Sequence, residues 1–69
     1  MIDINKKVGF NIRSYRKKKN LSQEQLAFKA GLHRAYIGQI ERGEKNIGVR
    51  NLYKIAKGLG IKTQDLLKE

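Results

Sequence analysis

The 69-residue sequence contains no cysteine, proline or tryptophan, and its only histidine is His33. Without cysteine there is neither a disulfide nor a thiolate metal ligand, and one histidine cannot build a metal site alone. No serine–acid constellation matches His33, and so short a chain has little room for a substrate cleft. We therefore expect no enzyme activity, no metal, no cofactor and no small-molecule ligand.

Long apolar runs are also missing. No stretch approaches the length of a membrane span, and the N-terminal residues 1–4 lack the charged-then-apolar layout of a signal peptide. We therefore expect no membrane partner and a cytoplasmic location. A chain of this length holds one domain at most, so we expect a single domain over residues 1–69, with one core.

Acidic residues are scarce beside basic ones. The chain has sixteen Lys and Arg residues but only six Asp and Glu residues, which gives a formal net charge of +10 and a pI near 10.2. Such a balance is typical of a small domain that binds nucleic acid. A lysine-rich surface that only aids solubility is the alternative. A membrane-binding patch is less favoured, because no basic segment also carries a strong apolar face.

Apolar spacing, glycines and cap residues predict five helices and no strand, which makes an all-α domain. In the first helix, an inner stripe of Ile4, Val8, Ile12 and Tyr15 has spacings of four, four and three residues. The predicted helices cover about residues 4–19, residues 22–30 from a Ser22–Gln25 capping box to Gly31, residues 34–42, residues 49–58 before Gly60, and a short segment that Thr63 caps.

Residues 22–43 predict two short helices joined by a turn that contains glycine, which is the helix-turn-helix layout. Ala27 is small where the two helices cross, and Ile37 and Ile40 anchor the second helix to the core. Steps of about 100° per residue leave an exposed sector made of Arg34, Ala35, Gly38, Gln39 and Arg42. This sector can enter a DNA major groove, since arginine can chelate guanine and glutamine can chelate adenine. An ordinary solvated face is the alternative.

Residues 7–67 resemble the phage-repressor and Cro group of helix-turn-helix regulators, the XRE family. The motifs that carry the resemblance are Leu21–Ala27, Ala30-Gly31, Ile37, Ile40–Gly43 and Leu52-x-x-Ile55-Ala56-x-x-Leu59. Within the group, residues 33–37 and 45–47 resemble the controller proteins of restriction–modification systems.

The resemblance implies a compact five-helix, repressor-like domain and a nucleoid-associated regulator of transcription. Because one recognition helix, at about residues 34–42, covers only a few base pairs, we expect a homodimer that binds a double-stranded, pseudo-palindromic (inverted-repeat) operator. Alternatives on the same fold are an antitoxin-type autorepressor and a protein-interaction or coactivator module.

The resemblance also assigns roles by position. Arg34, Ala35 and Gln39 match the base-reading positions, and we expect Gly38, in the same exposed sector, to face the bases with them. We expect contacts to the DNA backbone from Ser22, Gln23, Tyr36, Arg42, Lys45, Asn46, Val49 and Arg50. Tyr36 could instead be half core, and Lys45 a solvated loop lysine. Arg16 and Glu41 are expected to form a structural ion pair.

Two glycines depart from the family pattern. Gly38 lies inside the recognition helix, where glycine costs about 1 kcal/mol against alanine; it either gives clearance in the groove or is only tolerated. Gly48 stands where a serine or threonine cap is usual, which leaves one fewer hydroxyl for a phosphate.

The C-terminal apolar residues predict a dimer interface, formed by Leu59, Ile61, Leu66 and Leu67. Adjacent leucines in a helix point about 100° apart, so one of Leu66 and Leu67 should be available to a partner. The sequence leaves open whether Phe10 and Phe28 fill the core or form a partner patch. It also leaves open whether His33 caps the third helix or is simply exposed.

Overall fold

The computed structural model describes residues 3–68, and within that range every regular element is helical. The elements are α1 (Ile4–Lys18), α2 (Gln23–Ala30), α3 (Arg34–Glu41), α4 (Val49–Leu59) and a C-terminal 3-10 helix (Thr63–Leu67). The all-α prediction is confirmed, but the count of five α-helices is wrong by one. The last element is only five residues long, and 3-10 geometry is common in such short pieces.

Local cap chemistry sets both ends of α2. At α2, the Gln25 backbone N–H donates to Ser22 Oγ at 3.0 Å, and the Ser22 N–H donates to Gln25 Oε1 at 2.8 Å. Gly31, after α2, has a left-handed φ of 70°, a conformation that ends a helix and that glycine adopts at low energetic cost. Thr63 does not cap the last element as predicted: Lys62 occupies the cap position and its N–H donates to Asp65 Oδ2 at 3.2 Å.

All four α-helices and the 3-10 helix contribute to one hydrophobic core. Ile4, predicted on the inner stripe of α1, is instead 54% exposed, because the core begins one turn later at Val8. The core consists of Val8, Ile12, Leu26, Ala27, Ala30, Ile37, Ile40, Leu52, Ile55, Ala56, Leu59 and Leu66.

Gly9 lets the backbones of α1 and α3 meet. A Cβ atom at this position would lie 2.7 Å from the carbonyl oxygen of Glu41 and would also clash with that of Ile40. Those oxygens belong to helix backbone, so they could not move aside without moving α3. α1 is therefore packed directly against the C-terminal end of α3.

The 3-10 helix is fastened to α1 by one side chain. Asn11 Nδ2 donates to the carbonyl oxygens of Leu66 and Lys68 at 3.0 and 2.7 Å. Leu66 is then fully buried, whereas Leu67 is 48% exposed. Within residues 3–68, no helix combines the length and the apolar character needed to cross a membrane.

Candidate nucleic-acid interface

α3 presents one face to the core and the other to solvent. Ile37 and Ile40 are 0% and 1% exposed, while Arg34 and Ala35 are exposed and Gln39 is half-buried. The first turn of α3 is thus the most open part of the helix. An arginine and an alanine there leave the space and the donors that a base edge requires.

The beginnings of α2 and α4 flank α3 on two sides. On the α2 side, Gln23 Oε1 lies close enough to Gly38 that a Cβ there would be 3.6 Å away. On the α4 side, Asn51 Nδ2 donates to the hydroxyl oxygen of Tyr36 at 3.1 Å. The N-termini of α2 and α4 therefore border the exposed face of α3. Helix N-termini carry unpaired N–H groups that can bind phosphate. We call this combined surface, formed by α3 and the first turns of α2 and α4, the α3 surface.

A buried network sets the position of α3 within this surface. Arg16 donates to Glu41 through Nε at 2.7 Å and through Nη2 at 3.0 Å, and its Nη1 donates to the carbonyl oxygen of Leu21 at 2.8 Å. The Arg16 and Glu41 side chains are only 11% and 3% exposed. Gln23 Nε2 adds a third donor to Glu41, at 3.1 Å. The carboxylate of Glu41 therefore joins α1, the start of α2 and the end of α3.

The position of Tyr36 is compatible with both roles considered for it. Its ring is half-buried and packs against the core, while its hydroxyl oxygen accepts the hydrogen bond from Asn51. A hydroxyl that accepts can still donate its own hydrogen, so the group remains able to bind a phosphate oxygen. Ser22 Oγ is in the same situation at the start of α2, because it accepts from the Gln25 N–H. No motif in the sequence indicated that Asn51 would bind the Tyr36 hydroxyl.

The loop before α4 and its first turn are open to solvent. Lys45, Asn46 and Arg50 are exposed, and Val49 is 81% exposed. Gly48 occupies the N-cap position, and no side chain of residues 3–68 caps α4. The first N–H groups of α4 are therefore available to an anion. Asn46 also accepts a hydrogen bond, from Asn5 Nδ2 at 2.6 Å, which ties the loop to the start of α1.

Gly38 is not open to solvent, although it lies in the sector that the helical projection predicts to be exposed. It is buried, and a Cβ at this position would lie 3.2 Å from Arg42 Nη1. The guanidinium of Arg42, which follows the last residue of α3, thus lies over Gly38 and separates it from solvent. The expectation that Gly38 faces the bases is corrected on this ground: the sector was right, but a side chain from the next turn covers it.

Arg42 is held by a residue that the sequence analysis did not single out. Its Nε and Nη2 donate to Glu44 Oε2 and Oε1 at 2.7 and 3.2 Å, and the two side chains are 59% and 50% exposed. The hydrogen bond raises the pKa of Arg42 and lowers the pKa of Glu44. Both groups are therefore charged around neutral pH.

The residues expected at a dimer interface divide into two groups. Leu59 and Leu66 are 2% and 0% exposed, so they are corrected to core residues: α4 and the 3-10 helix turn them inward, away from any partner. Ile61 is half-buried and Leu67 is 48% exposed. Only these two leave apolar surface at the C-terminal end of the described chain.

The remaining candidate residues are exposed. Phe10 and Phe28 are 61% and 88% exposed, so neither fills the core. His33 stands at the N-cap position of α3 without making a side-chain cap bond. Among the described residues, no group of three or more His, Asp or Glu side chains is arranged to hold a metal ion.

The chain is similar in sequence and in fold to known helix-turn-helix proteins. The helix-turn-helix family HTH_3 matches residues 12–66. The chain is 50% identical over 60 residues to the control protein C.BamHI of Bacillus amyloliquefaciens, covering 86% of this chain and 74% of that protein. It is 48% identical over 66 residues to the control protein C.SmaI of Serratia marcescens, covering 96% of this chain and 79% of that protein. The crystal structure of the restriction-modification controller protein C.AhdI from Aeromonas hydrophila superposes with a TM-score of 0.88 at 44% identity, covering 90% of this chain and 94% of that one.

Proposed function

We propose that this chain, which belongs to the HTH_3 (XRE-type) family of DNA-binding helix-turn-helix transcription regulators, binds one specific inverted-repeat operator as a homodimer. Its similarity to control proteins, and to a restriction-modification controller protein, supports a controller role in a restriction–modification system. We also propose that residues 1–69 act as a single domain, in the cytoplasm and on the nucleoid. We propose no catalytic activity, cofactor or small-molecule effector.

The observation that carries the proposal is the α3 surface. The exposed first turn of α3 offers Arg34 and Ala35 to base edges, while the start of α2 and the start of α4 border it with N–H and hydroxyl donors. Phosphate contacts on both sides of a helix fix its register in the groove, and base contacts then read the sequence. The net charge of +10 supplies the long-range attraction to the duplex.

Roles for the other candidate residues follow from their places. Gln39 is half-buried on the same helix and is proposed as a second base contact. Backbone contacts are proposed at Ser22 and Gln23 beside α2, at Tyr36, and in the segment from Lys45 and Asn46 to Val49 and Arg50.

A homodimer is proposed because one α3 helix spans only a few base pairs. Two-fold symmetry doubles the contact, with half-sites about 34 Å apart along the duplex. Leu67 and Ile61 are the apolar residues that the C-terminal segment leaves partly exposed, and we propose that they meet their counterparts in a second copy. The exposed phenylalanines lie on α1 and α2, outside this segment.

The test is selection of DNA fragments from a random pool by the purified protein, followed by sequencing. We expect an inverted repeat whose two halves bind the protein together, and a dimer in sedimentation experiments. Binding to a single half-site as tightly as to the full repeat, by a protein that remains monomeric at high concentration, would contradict the dimer. The DNA-binding proposal would be contradicted if the selection enriched no sequence, or if this protein bound another protein but not duplex DNA.

A further inference from the structure

The side chain of Arg42 occupies a defined place although it is more than half exposed. Nη1 lies over the Cα of Gly38, where a Cβ would be 3.2 Å away, and Gln23 Oε1 borders the same spot at 3.6 Å from that Cβ position. Gly38 thus leaves room for the guanidinium against the flank of α3. This arrangement turns the arginine back along the helix and onto the α3 surface.

Glu44 occupies one of the two binding edges of that guanidinium. An arginine can hold two acceptor atoms through Nε and Nη2, or through Nη1 and Nη2 at the end of the group. The Nε and Nη2 pair is engaged by the two oxygens of Glu44, at 2.7 and 3.2 Å. The end of the guanidinium remains to bind a second bidentate acceptor.

The carboxylate also changes what Arg42 can attract. The negative charge of Glu44 weakens the attraction between Arg42 and a phosphate. The chain has sixteen Lys and Arg side chains in all, so others can contact the phosphates. With its charge partly neutralised, the guanidinium gains less from a phosphate, which is attracted mainly by charge, while its planar edge still matches a planar pair of acceptor atoms. Guanine O6 and N7 form such a pair in the major groove.

We propose that Arg42 reads a guanine in each half-site and that Glu44 is its positioning residue, with Gly38 providing the space. This inference rests on the proposed function and replaces the backbone role that the sequence suggested for Arg42. Glu44 touches no DNA in this proposal; it acts by limiting the arginine to one orientation before DNA arrives. Orientation set in advance lowers the entropy lost on binding.

The experiment uses the duplex selected by the wild-type protein and a set of duplexes in which each guanine is replaced in turn. Arg42→Ala should lose discrimination at one base pair of each half-site, by about 5- to 150-fold. Glu44→Gln should lose discrimination at the same base pair by several-fold, while its affinity for shuffled DNA rises, because one negative charge is gone. Gly38→Ala should act at that base pair too, since the new methyl group displaces Nη1.

Two controls separate positioning from charge. Glu24→Gln removes another exposed carboxylate, on α2, which forms no ion pair within residues 3–68; it should raise affinity for all duplexes alike. The double variant Arg42→Ala with Glu44→Gln should discriminate no less than Arg42→Ala alone, because a positioning residue has no effect without its arginine. Glu44→Asp, which keeps the carboxylate, should retain part of the discrimination.

Several results would overturn the proposal. If Arg42→Ala weakens binding equally on every duplex, Arg42 is a phosphate contact. If Glu44→Gln strengthens binding equally on every duplex, Glu44 is only a repelling charge. Either result leaves the proposed function intact as long as the wild-type protein prefers its selected duplex; a wild type without that preference overturns both.

Discussion

Replacement of Glu41 by alanine removes the carboxylate at which three helices meet. Arg16 from α1 donates to it twice, at 2.7 and 3.0 Å, and Gln23 from α2 donates at 3.1 Å. After the substitution, Arg16 retains only the carbonyl oxygen of Leu21 as an acceptor. A positive charge whose side chain is 11% exposed then lacks its counter-ion.

The magnitude follows from this burial. Removal of one partner of a buried ion pair costs about 3–5 kcal/mol, and the bond that Arg16 keeps to Leu21 favours the lower end. At about 4–8 °C per kcal/mol for a domain of this size, a loss of about 3 kcal/mol lowers the melting temperature by roughly 12–24 °C. Since a chain of this length is stable by only about 3–10 kcal/mol, Glu41→Ala should be close to unfolding.

The chain contains a matched control in Glu44. Its bonds to Arg42, at 2.7 and 3.2 Å, nearly equal those of the buried pair, but both side chains are at least half exposed. Exposed ion pairs contribute little to stability, so Glu44→Ala should melt at the wild-type temperature. Thermal and urea unfolding followed by circular dichroism measure both variants. Glu41→Gln, which keeps the shape and one acceptor oxygen, should lose less and covers the case in which Glu41→Ala does not fold. Equal melting temperatures for Glu41→Ala and Glu44→Ala would refute the reasoning from burial.

Four further predictions concern packing, DNA and the dimer. Gly9→Ala should destabilise the fold by about 1–3 kcal/mol, since its methyl group meets backbone carbonyls; unfolding in urea measures this, and an unchanged midpoint contradicts the close approach of α1 and α3. DNA affinity should fall steeply with salt, because several phosphates are neutralised; titrations at four salt concentrations that give a flat response contradict it. Arg34→Ala should cost about 1–3 kcal/mol on the selected operator and relax specificity at one position of each half-site, whereas equal weakening on random DNA indicates a phosphate contact instead. Leu67→Glu should give a folded monomer with weak operator binding, by sedimentation and circular dichroism; a variant that still forms dimers places the interface elsewhere.

Much of the fold could be predicted from local signals in the sequence. The capping box of Ser22 and Gln25 and the left-handed turn at Gly31 depend on residues within four positions of one another, so their chemistry is visible without a tertiary structure. The apolar spacing of Ile37 and Ile40 likewise identified the inward face of α3. The family motifs then indicated the DNA-binding class, which the family comparison confirmed.

The tertiary structure decided which side chains cover which. Helical projection located the sector of Gly38 but could not show that Arg42, one turn later, folds over it. Leu59 and Leu66 looked like candidates for a partner until the packing of α4 and the 3-10 helix turned both inward. Glu44 pairs with Arg42 across Gly43, whose backbone has a left-handed φ of 75°. A sequence pattern reports the direction of a side chain from its own helix axis, whereas the burial of Leu59 and Leu66 depends on groups that distant segments bring into contact. The contacts of Arg42 with Gly38 and Glu44 are local, but they depend on the conformation that a long side chain adopts, which the pattern does not report.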